Sequence, residues 1–256
     1  MPLTKMMRVF LGCMLMVNFL CSVNLAMADE KPVIVIVHGA WGGGWAFGDT
    51  ADLLEKKGFR VYRPTLTGLG ERHHLLTADT GLDTHIQDVV SVLEFEQLEN
   101  IVLLGHSYGG IVISGVAEKV PERIARLIYL DALLLEDGES WRSVSADDGQ
   151  WMLATQQGDG FVPPWVNPDK PPPGDVPHPV KTFTDTLSLN NPKAANLPAE
   201  YILTVEPGNE AEDDDFYRFS QRAKTRGWRV SVLVADHNPQ WSEQQKFADL
   251  VAELAR

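Results

Sequence analysis

The sequence predicts an α/β fold, a mostly parallel central sheet flanked by helices, with a small cap inserted before the penultimate strand. Three observations predict it. Val33-Ile34-Val35-Ile36-Val37 is an unbroken β-branched run of the kind buried on both faces of a parallel sheet. Strand-like segments alternate with segments of helical apolar spacing, the rhythm of right-handed βαβ units. The apolar run Ile101-Val102-Leu103-Leu104 leads directly into Gly105-His106-Ser107-Tyr108-Gly109, and a helical stretch follows.

Residues 1–28 read as a secretory signal. Lys5 and Arg8 form a positive n-region, residues 9–23 a mostly apolar core, and Ala26-Met27-Ala28 an A-x-A cleavage site before Asp29. Asn18, Ser22 and Asn24 weaken the alternative of an uncleaved membrane span. This arrangement predicts a periplasmic or secreted protein with no stable membrane insertion after cleavage. The remaining residues, 29–256, are expected to form one domain. After the first strand, residues 49–57 read as a helix closed by Gly58, and residues 59–62 as a strand stopped by Pro64. Asp83 is placed to cap a helix whose Ile86, Val89, Val90 and Leu93 share one face. The elbow strand, a helix over 111–119 and a strand over 126–130 come next. The rhythm breaks over 132–197, where Trp141, Trp151 and Trp165 and the prolines of Pro163-Pro164 and Pro171-Pro172-Pro173 predict a cap over the site. It resumes with strands over 201–205 and 228–234, and with a last helix placing Phe247, Leu250, Val251 and Leu254 on one face.

Composition excludes several chemistries. Both cysteines, Cys13 and Cys21, lie inside the expected signal, so a chain starting at Asp29 has neither disulfides nor cysteine chemistry. Cleavage removes two positive charges and no negative ones from a formal net charge of −13, leaving −15. Such an acidic surface lacks the footprint of a nucleic-acid binder and repels anionic membranes. A neutral or weakly polar small molecule is the substrate that fits.

A strand that ends in G-x-S-x-G and enters a helix forces its serine onto a sharp turn, hydroxyl exposed above the sheet. This nucleophile elbow defines the α/β-hydrolase fold and nominates Ser107. Serine needs a histidine to take its proton and an acid to orient that histidine, in the chain order serine, acid, histidine. Of the seven histidines only His178 and His237 follow Ser107. His237 occupies the loop after the last strand and is the predicted base, whereas His178 lies in the proline-rich insertion, a poor platform for one. Glu206, which closes the strand over 201–205, is the predicted acid. Asp131, at the end of the strand after the elbow helix, is the alternative, and Asp213-Asp214-Asp215 reads as a solvated helix start. Two backbone N–H groups must receive the oxyanion: Tyr108, after the nucleophile, and Ala40 in the glycine-rich loop His38-Gly39-Ala40-Trp41-Gly42-Gly43-Gly44-Trp45. That loop has neither G-K-[ST] nor a dinucleotide fingerprint, so it is not read as a phosphate cradle. Trp41, Trp45, Trp141, Trp151, Trp165 and Trp241 are candidates to line an apolar pocket. No metal or organic cofactor is called for.

The stretches Val37-His38-Gly39-Ala40-Trp41, Thr65-Leu66-Thr67-Gly68-Leu69-Gly70-Glu71-Arg72, Gly81-Leu82-Asp83-Thr84-His85, the elbow, Tyr129-Leu130-Asp131-Ala132 and Pro177-His178-Pro179 together resemble one group. It is the bacterial branch of the α/β-hydrolase superfamily related to pyrethroid-hydrolysing carboxylesterases and, more distantly, to plant methylesterases and hydroxynitrile lyases. The resemblance implies a triad of Ser107, Glu206 and His237, with Asn238-Pro239 and an acidic insertion over 210–215 as departures from the pattern. The lyase branch carries a threonine in the first loop and a lysine after the histidine; Gly39 and Asn238 stand here, which disfavours cyanohydrin cleavage. The expectation is a serine carboxylesterase acting on a small, largely apolar ester through an acyl-enzyme. A lactonase, amidase or lyase of the same fold would share the triad, and a non-catalytic ligand-binding protein would share the fold alone.

Overall fold

A computed structural model describes residues 31–256 apart from 157–159 and 165–169. The expected signal over 1–28 and Trp165 lie outside the described residues. In chain order the main elements are β1 (Val33–Val37), α1 (Gly48–Lys56), β2 (Arg60–Tyr62), α2 (Leu82–Phe95), β3 (Ile101–His106), α3 (Gly109–Lys119) and β4 (Ile124–Leu130). The inserted segment contributes α4 (Trp141–Val144), α5 (Gln150–Thr155), β5 (Phe161–Val162), β6 (His178–Pro179), α6 (Lys181–Thr184) and α7 (Pro192–Ala195). Then follow β7 (Ala199–Val205), α8 (Tyr217–Thr225), β8 (Arg229–Val234), α9 (Pro239–Ser242) and α10 (Gln244–Leu254).

Six strands form one parallel sheet in the order β2-β1-β3-β4-β7-β8. The β-branched run explains its layering. Val35 and Val37 of β1 and Leu103 of β3 face a core built from α2, α3 and α8, while Ile34, Ile36, Val102 and Leu104 face a second core built from α1 and α10. Every one of these seven side chains is at most 1% exposed, each contributing about 1.5–3 kcal/mol of apolar burial. With both faces covered, a site falls at the strand ends, and the parallel topology brings the loops after β1, β3, β4, β7 and β8 together at the C-terminal one.

The structure shifts two local expectations. Gly81, not Asp83, is the N-cap of α2, and Leu82 N–H is met from the cap by the Asp185 carboxylate at 3.0 Å. Asp83 sits in the first helical turn and pairs with Lys119 at 2.6 Å. The 132–197 segment is short helices plus an antiparallel β5–β6 pair, in which Val162 faces His178.

Candidate active site

The elbow is built by exclusion. A Cβ on Gly105 would lie 2.5 Å from Gly109 O, and one on Gly109 would lie 2.5 Å from Val37 O, so only hydrogen fits where β1, β3 and α3 converge. Ser107, between them, takes φ +54°, the strained left-handed turn that lifts its side chain out of the strand path. Its backbone is fixed on two sides: Ser107 N–H donates to Leu130 O, and its carbonyl accepts Gly110 and Leu133 N–H, all at 3.1 Å. Tyr108 follows as the residue opening α3, fully buried, with its hydroxyl 2.9 Å from His85 Nδ1.

His237 stands in the loop between β8 and α9. That loop is held by Asp236, whose Oδ1 accepts Asn238 N–H and the Ser242 hydroxyl at 2.8 Å each, and by Pro239 at the start of α9. The His237 carbonyl accepts from His106 Nε2 at 2.9 Å, which ties the loop to the residue preceding Ser107. Burial, reinforced by neighbouring His237, drives the His106 pKa well below the usual imidazole range, so His106 serves as a neutral tether.

The carboxylate beside His237 is Asp131, the alternative of the two expected from sequence, and not Glu206. His237 Nδ1 meets Asp131 Oδ2 at 2.6 Å, and Asp131 Oδ1 accepts Thr204 N–H at 3.1 Å. Glu206, by contrast, is exposed in the turn beyond β7, its carbonyl accepting Asn209 N–H at 3.1 Å. The cause is backbone direction. Asp131 takes φ +41° as it leaves β4, which sends its carboxylate across the sheet edge toward β7 and the histidine loop. Tyr201 locks that turn from below: its hydroxyl accepts Ala132 N–H at 2.9 Å and donates to Ala132 O at 2.7 Å. Burial and the nearby Asp131 charge push the Tyr201 hydroxyl well above its usual pKa, so it acts as a neutral hydrogen-bonding peg.

Two neighbours of His237 were not legible beforehand. Phe216 stacks on its imidazole at 4.7 Å and 13°. Asp214, read from sequence as part of a solvated run, is half-buried, and its pKa is raised to about 6 by burial and then by Asp131. The tryptophans divide into two groups. Trp41 and Trp141 both pack on Phe183 of the cap, at 5.9 and 5.1 Å. Trp45 instead stacks on Trp241 at 5.9 Å and packs against the α1/α10 core, with Trp241 49% exposed, so this pair is not gathered with the other two. Trp151 falls within α5.

An elbow serine, a loop histidine and a buried aspartate converging on the C-terminal edge of a parallel sheet define a class, and comparison with known proteins gives the same one. Residues 34–250 match the alpha/beta hydrolase family, and the chain belongs to it. Over 106 residues it is 52% identical to the carbendazim hydrolyzing esterase of a Nocardioides species, a match covering 41% of this chain and 44% of that one. Over 107 residues it is 38% identical to the pyrethroid hydrolase of Sphingobium wenxiniae, covering 41% of this chain and 37% of the relative. The matched stretches thus span less than half the length of either relative. An extracellular α/β-hydrolase from a Paenibacillus species superposes with a TM-score of 0.73 over 87% of this chain and 98% of that one, at 22% identity, a likeness of fold.

Proposed function

We propose that the protein is a serine carboxylesterase whose triad is Ser107, His237 and Asp131. The observation that carries this reading is the 2.6 Å contact between His237 Nδ1 and the fully buried Asp131, on a loop anchored to the elbow through His106. Asp131 accepts a hydrogen bond from the Nδ1–H, which stays on the ring and fixes the tautomer, leaving Nε2 unprotonated as the base for Ser107. The serine oxygen attacks the ester carbonyl carbon while its proton passes to Nε2. The tetrahedral oxyanion is received by Ala40 and Tyr108 N–H, and collapse expels the alcohol with the proton returned from the imidazolium. Water then repeats the sequence on the acyl-enzyme, releasing the acid and restoring Ser107.

The substrate class proposed is a small, largely apolar ester. The formal charge of −13 disfavours anionic ligands, and Trp41, Trp141 and Phe183 put an aromatic cluster between the first loop and the cap. The names of the two relatives, which give carbendazim and pyrethroids as what those proteins act on, support a neutral substrate here. An organophosphonate probe tests the mechanism: stoichiometric labelling mapped to Ser107 is expected, and hydrolysis of short-chain p-nitrophenyl esters without label at Ser107 would remove it. We also propose export to the periplasm or beyond, on the strength of Lys5, Arg8 and Ala26-Met27-Ala28.

A further inference from the structure

His178 is wholly buried in the cap and has no part in the triad, yet its hydrogen bonds are fully committed. Nδ1 accepts Trp41 N–H at 3.1 Å, and Nε2 lies 2.8 Å from Thr182 Oγ1. The Thr182 hydroxyl donates to Pro179 O at 2.8 Å, so it accepts from His178. The imidazole therefore carries its proton on Nε2 and leaves Nδ1 as an acceptor dedicated to the first loop. Its ring is clamped as well, stacked on Phe183 at 4.4 Å and edge-on to Tyr108 at 5.0 Å.

What His178 grips is strained. Trp41 takes φ +62°, and Gly42 N–H folds back onto Ala40 O at 2.7 Å, so a tight three-residue turn is centred on a tryptophan rather than a glycine. A non-glycine residue in that region costs about 1–3 kcal/mol and persists only where its surroundings over-determine it. Three cap contacts do so: His178 on the Trp41 N–H, Val176 N–H on the Trp41 carbonyl at 3.0 Å, and Val162 O on the indole N–H at 3.2 Å. The residue that opens this turn is Ala40.

We propose that His178 is a positioning residue for the oxyanion hole, holding the Trp41 turn from the cap so that Ala40 N–H is aimed at the developing oxyanion. The proposal rests on the esterase reading for its chemistry, but the holding of the turn is a separate, measurable fact. The cap is then a part of the catalytic frame as well as a cover: the same insertion that brings aromatic residues to the site sets one of its two oxyanion donors.

Three substitutions in the full chain separate this role from simple packing. His178→Asn places an amide oxygen near the Nδ1 position and keeps the Trp41 acceptor. His178→Gln reaches the Nε2 position, keeping the Thr182 partner and leaving Trp41 N–H bare. His178→Leu removes both. Turnover of a p-nitrophenyl ester, inhibition by a boronic acid that mimics the tetrahedral adduct, and amide hydrogen exchange of residues 39–45 are measured on each. The Gln and Leu variants should lose ~10- to 100-fold in kcat, as expected for a misaimed donor, with KM changed less than ~3-fold. Boronate affinity should fall in proportion, exchange over 39–45 should quicken, and the Asn variant should stay within ~3-fold of wild type in kcat. If the Leu variant does not fold, the Asn and Gln pair decides alone. Equal or reversed ranking of Asn and Gln, or a loss confined to KM, overturns the proposal. If wild type turns over no ester, the esterase reading fails by itself, and the exchange ranking of Asn against Gln still decides whether His178 holds the turn.

Discussion

Asp131→Asn is the perturbation on which the site stands or falls, and the structure dictates its outcome atom by atom. Asparagine matches aspartate in shape and tolerates the left-handed φ of +41°, so the turn survives. Thr204 N–H can only donate, which holds the amide oxygen at the Oδ1 position, 3.1 Å away. The amide nitrogen then occupies the Oδ2 position, 2.6 Å from His237 Nδ1. A donor there requires Nδ1 to accept, so the neutral imidazole carries its proton on Nε2 and has no lone pair for the Ser107 hydroxyl. The expected loss in kcat is ~10³- to 10⁴-fold, about 4–5.5 kcal/mol of barrier. Glu206→Gln, at an exposed turn, should stay within ~2-fold, since the substitution touches neither the histidine nor the sheet. The assay is p-nitrophenyl ester turnover beside thermal melting for both variants. A crippled Glu206→Gln enzyme next to a nearly normal Asp131→Asn enzyme, both folded, would refute the reasoning.

Ser107→Ala should lower kcat by ~10³-fold or more and abolish organophosphonate labelling, with EDTA leaving wild type unaffected; retained turnover in this variant would place the nucleophile elsewhere. Burial pulls His38 and His85 from an ordinary 6.5 down to about 4, so between those values the unfolded chain binds more protons than the folded one. Stability from each, about 3 kcal/mol, is complete above pH 6.5 and is lost as pH falls toward 4. Half-buried Asp214, raised to about 6, works the other way, but solvent screens it. The melting temperature should therefore climb between pH 5 and 6.5, above the range of ordinary carboxylates, and climb less in His85→Gln; a flat profile in wild type would contradict the burial argument. Export predicts a mature N-terminus at or near Asp29 when the protein is recovered from an expressing bacterium, and an intact Met1 in the cytoplasmic pool would count against it.

The parts of the fold that were legible are those in which local pattern and global burial agree. Val33–Val37 and Ile101–His106 read as doubly buried strands because short apolar runs, β-branched in the first case, suit a parallel sheet covered on both faces, and both have a paired strand on either side. The elbow was legible for a steric reason: Gly105 and Gly109 face backbone atoms at 2.5 Å, a constraint that leaves its mark on the sequence. Phe216 left no such mark. Its stacking on His237 depends on how the connection between β7 and α8 folds over the site, and a phenylalanine in a polar loop carries no periodicity to announce that. The same holds for Asp214, whose neighbours Asp213 and Asp215 are exposed while it alone of the three turns inward.

The acid shows most clearly where sequence reasoning stops. β4 and β7 are adjacent in the sheet, with Leu130 paired to Ile202, so the residues just past their ends compete for the same space beneath the last loop. Chain order admits either, because Asp131 and Glu206 both lie between Ser107 and His237. Nor does residue type choose between them, since either carboxylate can orient an imidazole. What separates them is the direction the backbone takes on leaving its strand, and that is set by partners more than 60 residues away: Tyr201 on both polar groups of Ala132, and Thr204 N–H on the Asp131 carboxylate. Glu206 meets the opposite circumstance, since β7 runs out into Pro207-Gly208 and the chain turns to solvent. Asp131 meets His237 by being buried and aimed, and both properties belong to the packed sheet edge, not to the residue's place in the chain; the proposed role as orienting acid rests on them.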